Sequence, residues 1–262
     1  MPHRTVPAEA WRALREGNER FVAGAMEHPS QDADRRADVR DGQQPFAVLL
    51  GCSDSRVAAE IIFDRGLGDL FVVRTAGHVI DATVLGSVEY AVAVLGTPLV
   101  LVLGHDSCGA IAATLDSLRT GTTPPGHIRS IVDRVRPSVV DHADAPAETV
   151  LAEHVRYTVR TLLEDSVVVR TAVAEGRCAV VGTTYELADG RVRVVAAHGP
   201  AGADAVPDQA GVDAAPGPAD VTALRHEPTA GPPEDRPVDQ PVDRPLDQHL
   251  DQPDDRPDGS AA

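Results

Sequence analysis

The chain has 262 residues, 42% of them apolar but only 3% aromatic, so a sizeable core has to be filled by Val, Leu, Ala and Ile. A formal net charge of −16 opposes binding to nucleic acid through phosphates. Three widely spaced cysteines exclude a disulfide framework. The acidic excess is uneven: residues 201–262 hold 14 acidic residues and 4 arginines, which leaves 26 acids against 20 arginines for the first 200. The start lacks the apolar segment of a secretion signal, and no apolar run approaches the ~20 residues of a membrane span. These features predict a cytoplasmic chain with no membrane or nucleic-acid partner.

In chain order, residues 7–24 predict an amphipathic helix, with Trp11, Leu14 and Phe21 at helical spacing and Gly24 as its stop. Residues 25–45 are polar and predict a loop. Strands are predicted at 46–50, 70–73, 98–103, 177–182 and 192–197, with helices at 58–65 and 83–95 between the first three. The runs "FAVLL", "LFVV" and "PLVLVL" are apolar throughout, the pattern of strands buried on both faces. Their alternation with helices predicts an α/β fold: a mostly parallel central sheet flanked by helices, with an N-terminal helical arm. Residues 108–176 predict mostly helix, broken near "TTPPG" and around Pro137 and Pro146.

After about residue 199 the composition changes. Asp235, Asp239, Asp243, Asp247, Asp251 and Asp255 recur with a period of four, interleaved with Pro237, Pro241, Pro245, Pro253 and Pro257. Prolines at that density, with no apolar face, predict a disordered acidic tail over 200–262 and a folded domain over 1–199.

Two of the apolar runs end in chemistry. "FAVLLGCSDSRV" ends on Cys52, with Asp54 and Arg56 beyond it, and "LVLGHDSCGA" ends on His105 and Cys108. Ligand sites of open α/β sheets lie beyond the carboxyl ends of the strands. If these two strands are neighbours, Cys52, His105 and Cys108 converge. Two thiolates and an imidazole suit a borderline-soft ion, zinc by default, with a fourth position left for water. A helix beginning at Cys108 favours its thiolate. Asp54 and Arg56, two residues apart, are able to pair, which keeps the carboxylate ionised and oriented toward the metal or available to it as a fourth ligand. A cysteine phosphatase needs Cys-x5-Arg, but Ala58 and Thr114 occupy that offset from Cys52 and Cys108. Cys178, in "RCAVVG", is expected to be a small buried hydrophobe.

The C-x-D-x-R and H-x-x-C pair at this separation resembles the β-class carbonic anhydrases. The resemblance extends over about residues 8–198, including "GNERFVAG", "FVVRTAGHVID" and "GSVEYAV". It implies a zinc lyase that hydrates carbon dioxide to bicarbonate and a proton, through zinc-bound hydroxide oriented by an Asp54–Arg56 dyad. It implies Cys52, His105 and Cys108 as zinc ligands. Gln43 and the backbone amide of Gly109 match donors to bicarbonate, and Phe71 and Tyr90 match aromatic positions supplied by a neighbouring subunit. A homodimer or homotetramer follows, with the N-terminal helix packing on the partner through exposed Trp11 and Phe21. Leu49 stands where one subtype carries a Trp for inhibitory bicarbonate. A carbon disulfide hydrolase on the same scaffold and a non-catalytic zinc protein are the alternatives.

Overall fold

The computed structural model describes residues 5–202 and Ala205. The Asp/Pro repeat expected as a disordered tail lies outside the described residues.

Helix α1 (Pro7–Ala23) starts on a proline, whose fixed φ suits a first turn, and the Glu9 side chain accepts the Val6 amide at 3.1 Å. It stops at Gly24, which takes a left-handed φ of 66° and donates its N–H to the Arg20 and Phe21 carbonyls. Trp11 is 3% exposed within its own chain, packed with Leu14, Ile62 and Phe63. It is therefore not the exposed partner-facing side chain expected from sequence. Gly17 explains why the helix lies so close: a Cβ there would sit 1.8 Å from the Phe63 carbonyl oxygen. The polar stretch predicted as loop contains a short helix, α2 (Ala33–Asp38), capped by Asp32 accepting the Arg35 amide at 2.7 Å. Six residues without an apolar face leave no periodic signal in the sequence.

The strands are β1 (Ala47–Cys52), β2 (Leu70–Thr75), β3 (Leu99–His105), β4 (Ala179–Tyr185) and β5 (Val192–His198). Helices α3 (Ala59–Ile62) and α4 (Ala82–Ala93) separate the first three. Helices α5 (Gly109–Thr120), α6 (Ile128–Val139), α7 (Ala147–Asp165) and α8 (Val167–Ala174) fill the long helical stretch. Pro137 does not break α6. It lies in the last turn, where its missing N–H deprives only the Asp133 carbonyl.

The sheet order is β2-β1-β3-β4-β5, parallel except for β5. The mostly parallel α/β architecture expected from sequence is the one observed. Val48, Leu50, Val100, Val102 and Val180 face a core closed by α4, α7 and α8; Ala47, Leu49, Leu99, Leu101 and Val181 face a second core closed by α1 and α3. Each of the Val and Leu side chains among them, fully removed from water, contributes about 1.5–3 kcal/mol. Cys178 is 1% exposed and its thiol is pushed up to about 12 by burial, as its reading as a hydrophobe requires.

The chain leaves β1 toward one side for β2, then crosses back to the other side for β3. The order reverses between β1 and β3, whose carboxyl ends therefore open a crevice. Both strands run further than their apolar runs predict. The ladder continues through Cys52 opposite Thr75 and His105 opposite Tyr185, so each chemical residue is the last of its strand, not one glycine beyond it.

Candidate metal centre

At that crevice the ligating atoms of Cys52, His105 and Cys108 lie within 4.8 Å of one another. Cys52 closes β1 and His105 closes β3. Cys108 is reached by a tight turn in which Ser107 takes a φ of 53°, and it stands as the N-cap of α5. Asp106 anchors the turn: its amide donates to the Tyr185 carbonyl at 3.1 Å, and its carboxylate accepts the Leu187 amide at 2.9 Å. All three donor residues are buried, at 5%, 1% and 5% exposure.

His105 has its tautomer fixed. Nδ1 lies 2.8 Å from the Asp106 carbonyl, which only accepts, so Nδ1 carries the proton. Nε2 keeps a lone pair, is buried, and has no hydrogen-bond partner. A buried, orphaned imidazole nitrogen beside two cysteine sulfurs is the signature of a ligand set, and Cys/His/Cys suits zinc. The metal expected from sequence fits the residues present.

The two thiols are unequal. Cys52 is lowered below the usual thiol range, first by the Cys108 thiol donating to it, then by His105 and the amides of Gly77 and Asp54, against its burial. Cys108 is raised by the same Cys52 contact and by burial, against the amides of Ile111 and Ala110. The helix start does favour the Cys108 thiolate, as expected, but the neighbouring Cys52 charge outweighs it. Burial opposes charge on His105, yet the Cys52 sulfur, the Asp106 carbonyl and Asp54 together raise its pKa.

Asp54 and Arg56 pair as expected. Arg56 Nε donates to Asp54 Oδ1 at 2.9 Å and Nη2 to Oδ2 at 2.8 Å. The Arg56 amide adds a third bond to Oδ1 at 2.9 Å. The guanidinium holds the Asp54 carboxyl well below the usual carboxylate range. Oδ2 lies 4.0 Å from His105 Nε2, so the carboxylate borders the metal position.

Other supports went unassigned in the sequence. Arg74 donates to the carbonyls of Cys52 and Asp54, pinning the turn between them. The Gly77 amide donates to Cys52 Sγ at 3.3 Å. Both lie in "FVVRTAGHVID", and their signal was their place at the end of β2, the strand beside β1.

The substrate-side residues divide. Gly109 is the first residue of α5, directly after Cys108, where an amide has no carbonyl within its helix to bond. Gln43, Phe71 and Tyr90 are not brought to the metal donors of their own chain. Phe71 pairs with Val48, four residues before Cys52, about 13 Å along the strand. Its ring lies 6.2 Å from that of Tyr90, near the end of α4. Gln43 is exposed and precedes β1; the neighbouring Gln44 to Phe46 lie beside Leu95, Gly96 and Pro98, where β3 begins. These three mark the amino end of the strands and the metal donors mark the carboxyl end.

The family model described as Carbonic anhydrase matches residues 47–192. The chain is 57% identical over 194 residues to carbonic anhydrase 2 of Mycobacterium tuberculosis, covering 73% of this chain and 93% of that one. It is 56% identical to a carbonic anhydrase of Mycolicibacterium smegmatis, over 72% of this chain and 93% of that one. Among solved structures, a tetrameric β-carbonic anhydrase of Sordaria macrospora superposes with a TM-score of 0.54 at 25% identity, covering 61% of this chain and 84% of that one.

Proposed function

The chain belongs to the β-class carbonic anhydrases, zinc enzymes that interconvert carbon dioxide and bicarbonate, and we propose that Cys52, His105 and Cys108 hold its zinc while Asp54 and Arg56 govern the proton beside it. The observation that carries this assignment is the orphaned, buried Nε2 of His105, within 4.8 Å of both sulfurs and 4.0 Å from the Arg56-held carboxylate.

Zinc in such a site lowers the pKa of a water molecule toward about 7, which supplies the nucleophile at neutral pH. The residues of the chain orient that chemistry. Asp54, ionised and fixed by three hydrogen bonds, accepts a hydrogen bond from the attacking water and aims its lone pair. Both carboxylate oxygens are engaged by Arg56, which supports an open metal position at neutral pH over one closed by Asp54. The Gly109 amide receives a developing bicarbonate oxygen.

Gln43, Phe71 and Tyr90 belong to the same pocket only across a subunit boundary. The pocket is completed when the amino-end cluster of one copy meets the carboxyl-end centre of another, in a homodimer or homotetramer. The separation of the two clusters within one chain supports this, as does the tetrameric state of the Sordaria relative. No helix of the described residues is long and apolar enough to cross a membrane. A reducing, cytoplasmic setting suits the assignment, because it keeps Cys52 and Cys108 available as thiolate ligands.

Removing zinc with a chelator should abolish carbon dioxide hydration, and restoring it should recover the rate. The Cys108→Ser chain should fail to retain stoichiometric zinc. Full zinc occupancy in that variant would contradict the ligand assignment.

A further inference from the structure

A chain of buried polar contacts runs from the helical layer to the metal centre. His154 lies on α7, 1% exposed. Its Nε2 is 2.8 Å from the Gly77 carbonyl, which only accepts, so Nε2 carries the proton. Its Nδ1 is 2.7 Å from the Ser138 hydroxyl on α6. Burial keeps the ring neutral, so Nδ1 is an acceptor here, and the single proton of the Ser138 hydroxyl is shared between it and the Val135 carbonyl, 2.6 Å from the same oxygen. The ring of His78, itself fully buried, packs 4.3 Å away and is likewise held neutral by burial.

Gly77 is the far end of this chain and the near end of the site. It follows β2 with φ 67° and ψ 23°, a left-handed conformation, and a Cβ there would lie 2.7 Å from the Ala110 Cβ. No other residue fits. Its carbonyl is taken by His154, and its amide points at Cys52 Sγ. With no side chain of its own, Gly77 is hydrogen-bonded on both sides of its backbone, and these two bonds fix the direction of its amide.

We propose that His154, fixed by Ser138, is a positioning residue for the metal centre, locking Gly77 so that its amide stays on the Cys52 sulfur and sets how tightly that thiolate holds zinc. This rests on the assignment of Cys52 as a ligand. The physical reason is that an N–H on a thiolate withdraws charge from the sulfur and fixes its lone pairs. Outer partners of ligands typically change metal affinity about 10- to 100-fold when removed. His154 touches neither substrate nor metal; it acts through one glycine.

The test compares His154→Gln, whose amide N–H2 can replace the Nε2 donor, with His154→Leu, which cannot donate. The readouts are the rate of zinc transfer to a chelator and the sulfur-to-cobalt charge-transfer band of the cobalt-substituted protein. His154→Leu should release zinc about 10- to 100-fold faster and shift the band, while His154→Gln should stay near wild type in both. Ser138→Ala, which frees the ring but keeps it, should move both readouts in the same direction by less, and decides the matter if His154→Leu does not fold. Folded variants with wild-type zinc release and an unshifted band would overturn the proposal. Cys52→Ser separates the two readings: if it keeps its zinc, the ligand assignment has failed, not the role of His154.

Discussion

Arg56 grips Asp54 with both arms of its guanidinium and with its own backbone amide, at 2.8–2.9 Å throughout. The side chain of Arg56 is half exposed, while that of Asp54 is 18% exposed and faces inward. The arginine thus serves as an outer clamp and the carboxylate as the inner edge of the metal site. A fourth bond, from Arg56 to the Ser107 carbonyl at 3.3 Å, ties the clamp to the turn that delivers Cys108.

Lysine cannot reproduce that fork, because an ammonium is a point donor without a planar pair of N–H groups. Arg56→Lys is expected to reduce hydration about tenfold, less than the 10²-fold or more that losing a positioned acid–base group costs, because the carboxylate stays but is no longer fixed, with zinc content unchanged. Rate and metal content measured on the same preparation check this. A rate unaltered at full zinc would mean that charge alone, not the fork, holds Asp54.

Asp64 carries a separate, structural expectation. Its buried carboxylate accepts Arg20 Nε at 2.6 Å and the amides of Glu27 and His28 at 3.0 and 2.9 Å. Burial pushes its pKa up, but these donors outweigh burial and hold it below the usual carboxylate range. A depressed folded pKa means that its contribution is complete above about pH 4 and is lost as pH falls through the folded value. Asp64→Asn should therefore lower stability at pH 7 by roughly 1–3 kcal/mol and flatten the loss on acidification. Thermal unfolding from pH 3 to 7 at fixed protein concentration tests it. An unchanged acid slope would show that Asp64 is not part of the pH response.

The division of the pocket makes a prediction about mixtures. From Ala47 to Cys52, β1 alone separates the Gln43 end from the metal end by about 17 Å. A Gln43→Ala chain keeps the metal end and a Cys108→Ser chain keeps the amino end. Co-assembled, they should show more activity than either alone, because some pockets combine two intact halves. Mixtures that never exceed the sum of the parents would place Gln43 outside the pocket.

The sequence places the folded, catalytic part of the chain at residues 1–199, and we propose that the residues after 205 are dispensable for turnover. Ala201 and Ala205 are buried against the second core, so the truncation belongs after Ala205. The shortened chain should keep its kcat/KM and its zinc. A fall of tenfold or more would assign the acidic segment a part in catalysis or assembly.

Much of this was legible in the sequence for a physical reason. Strands buried on both faces read as unbroken apolar runs, and the places where those runs stop at Cys52 and His105 are the carboxyl ends where sites form. Where strands end was less legible, because backbone pairing carries Cys52 and His105 into the ladder after the apolar pattern has stopped. Trp11 was misjudged because amphipathic spacing tells that a face is covered, not by which chain. What Gly77, His154 and Arg74 touch was not legible, for another reason. They lie 22 to 102 residues from Cys52, and only the packed sheet and its helices bring them to one point.

The most direct test of the account is stopped-flow carbon dioxide hydration by zinc-loaded wild-type and Asp54→Ala proteins at about pH 7 and 8.5, with zinc measured in each. The account predicts turnover by the wild type at both pH values. It predicts a loss of about 10²-fold or more in the variant at equal zinc, the lower end of what a positioned acid–base group supplies. An Asp54→Ala chain that keeps its zinc and turns over like the wild type would contradict the orienting role on which the mechanism stands.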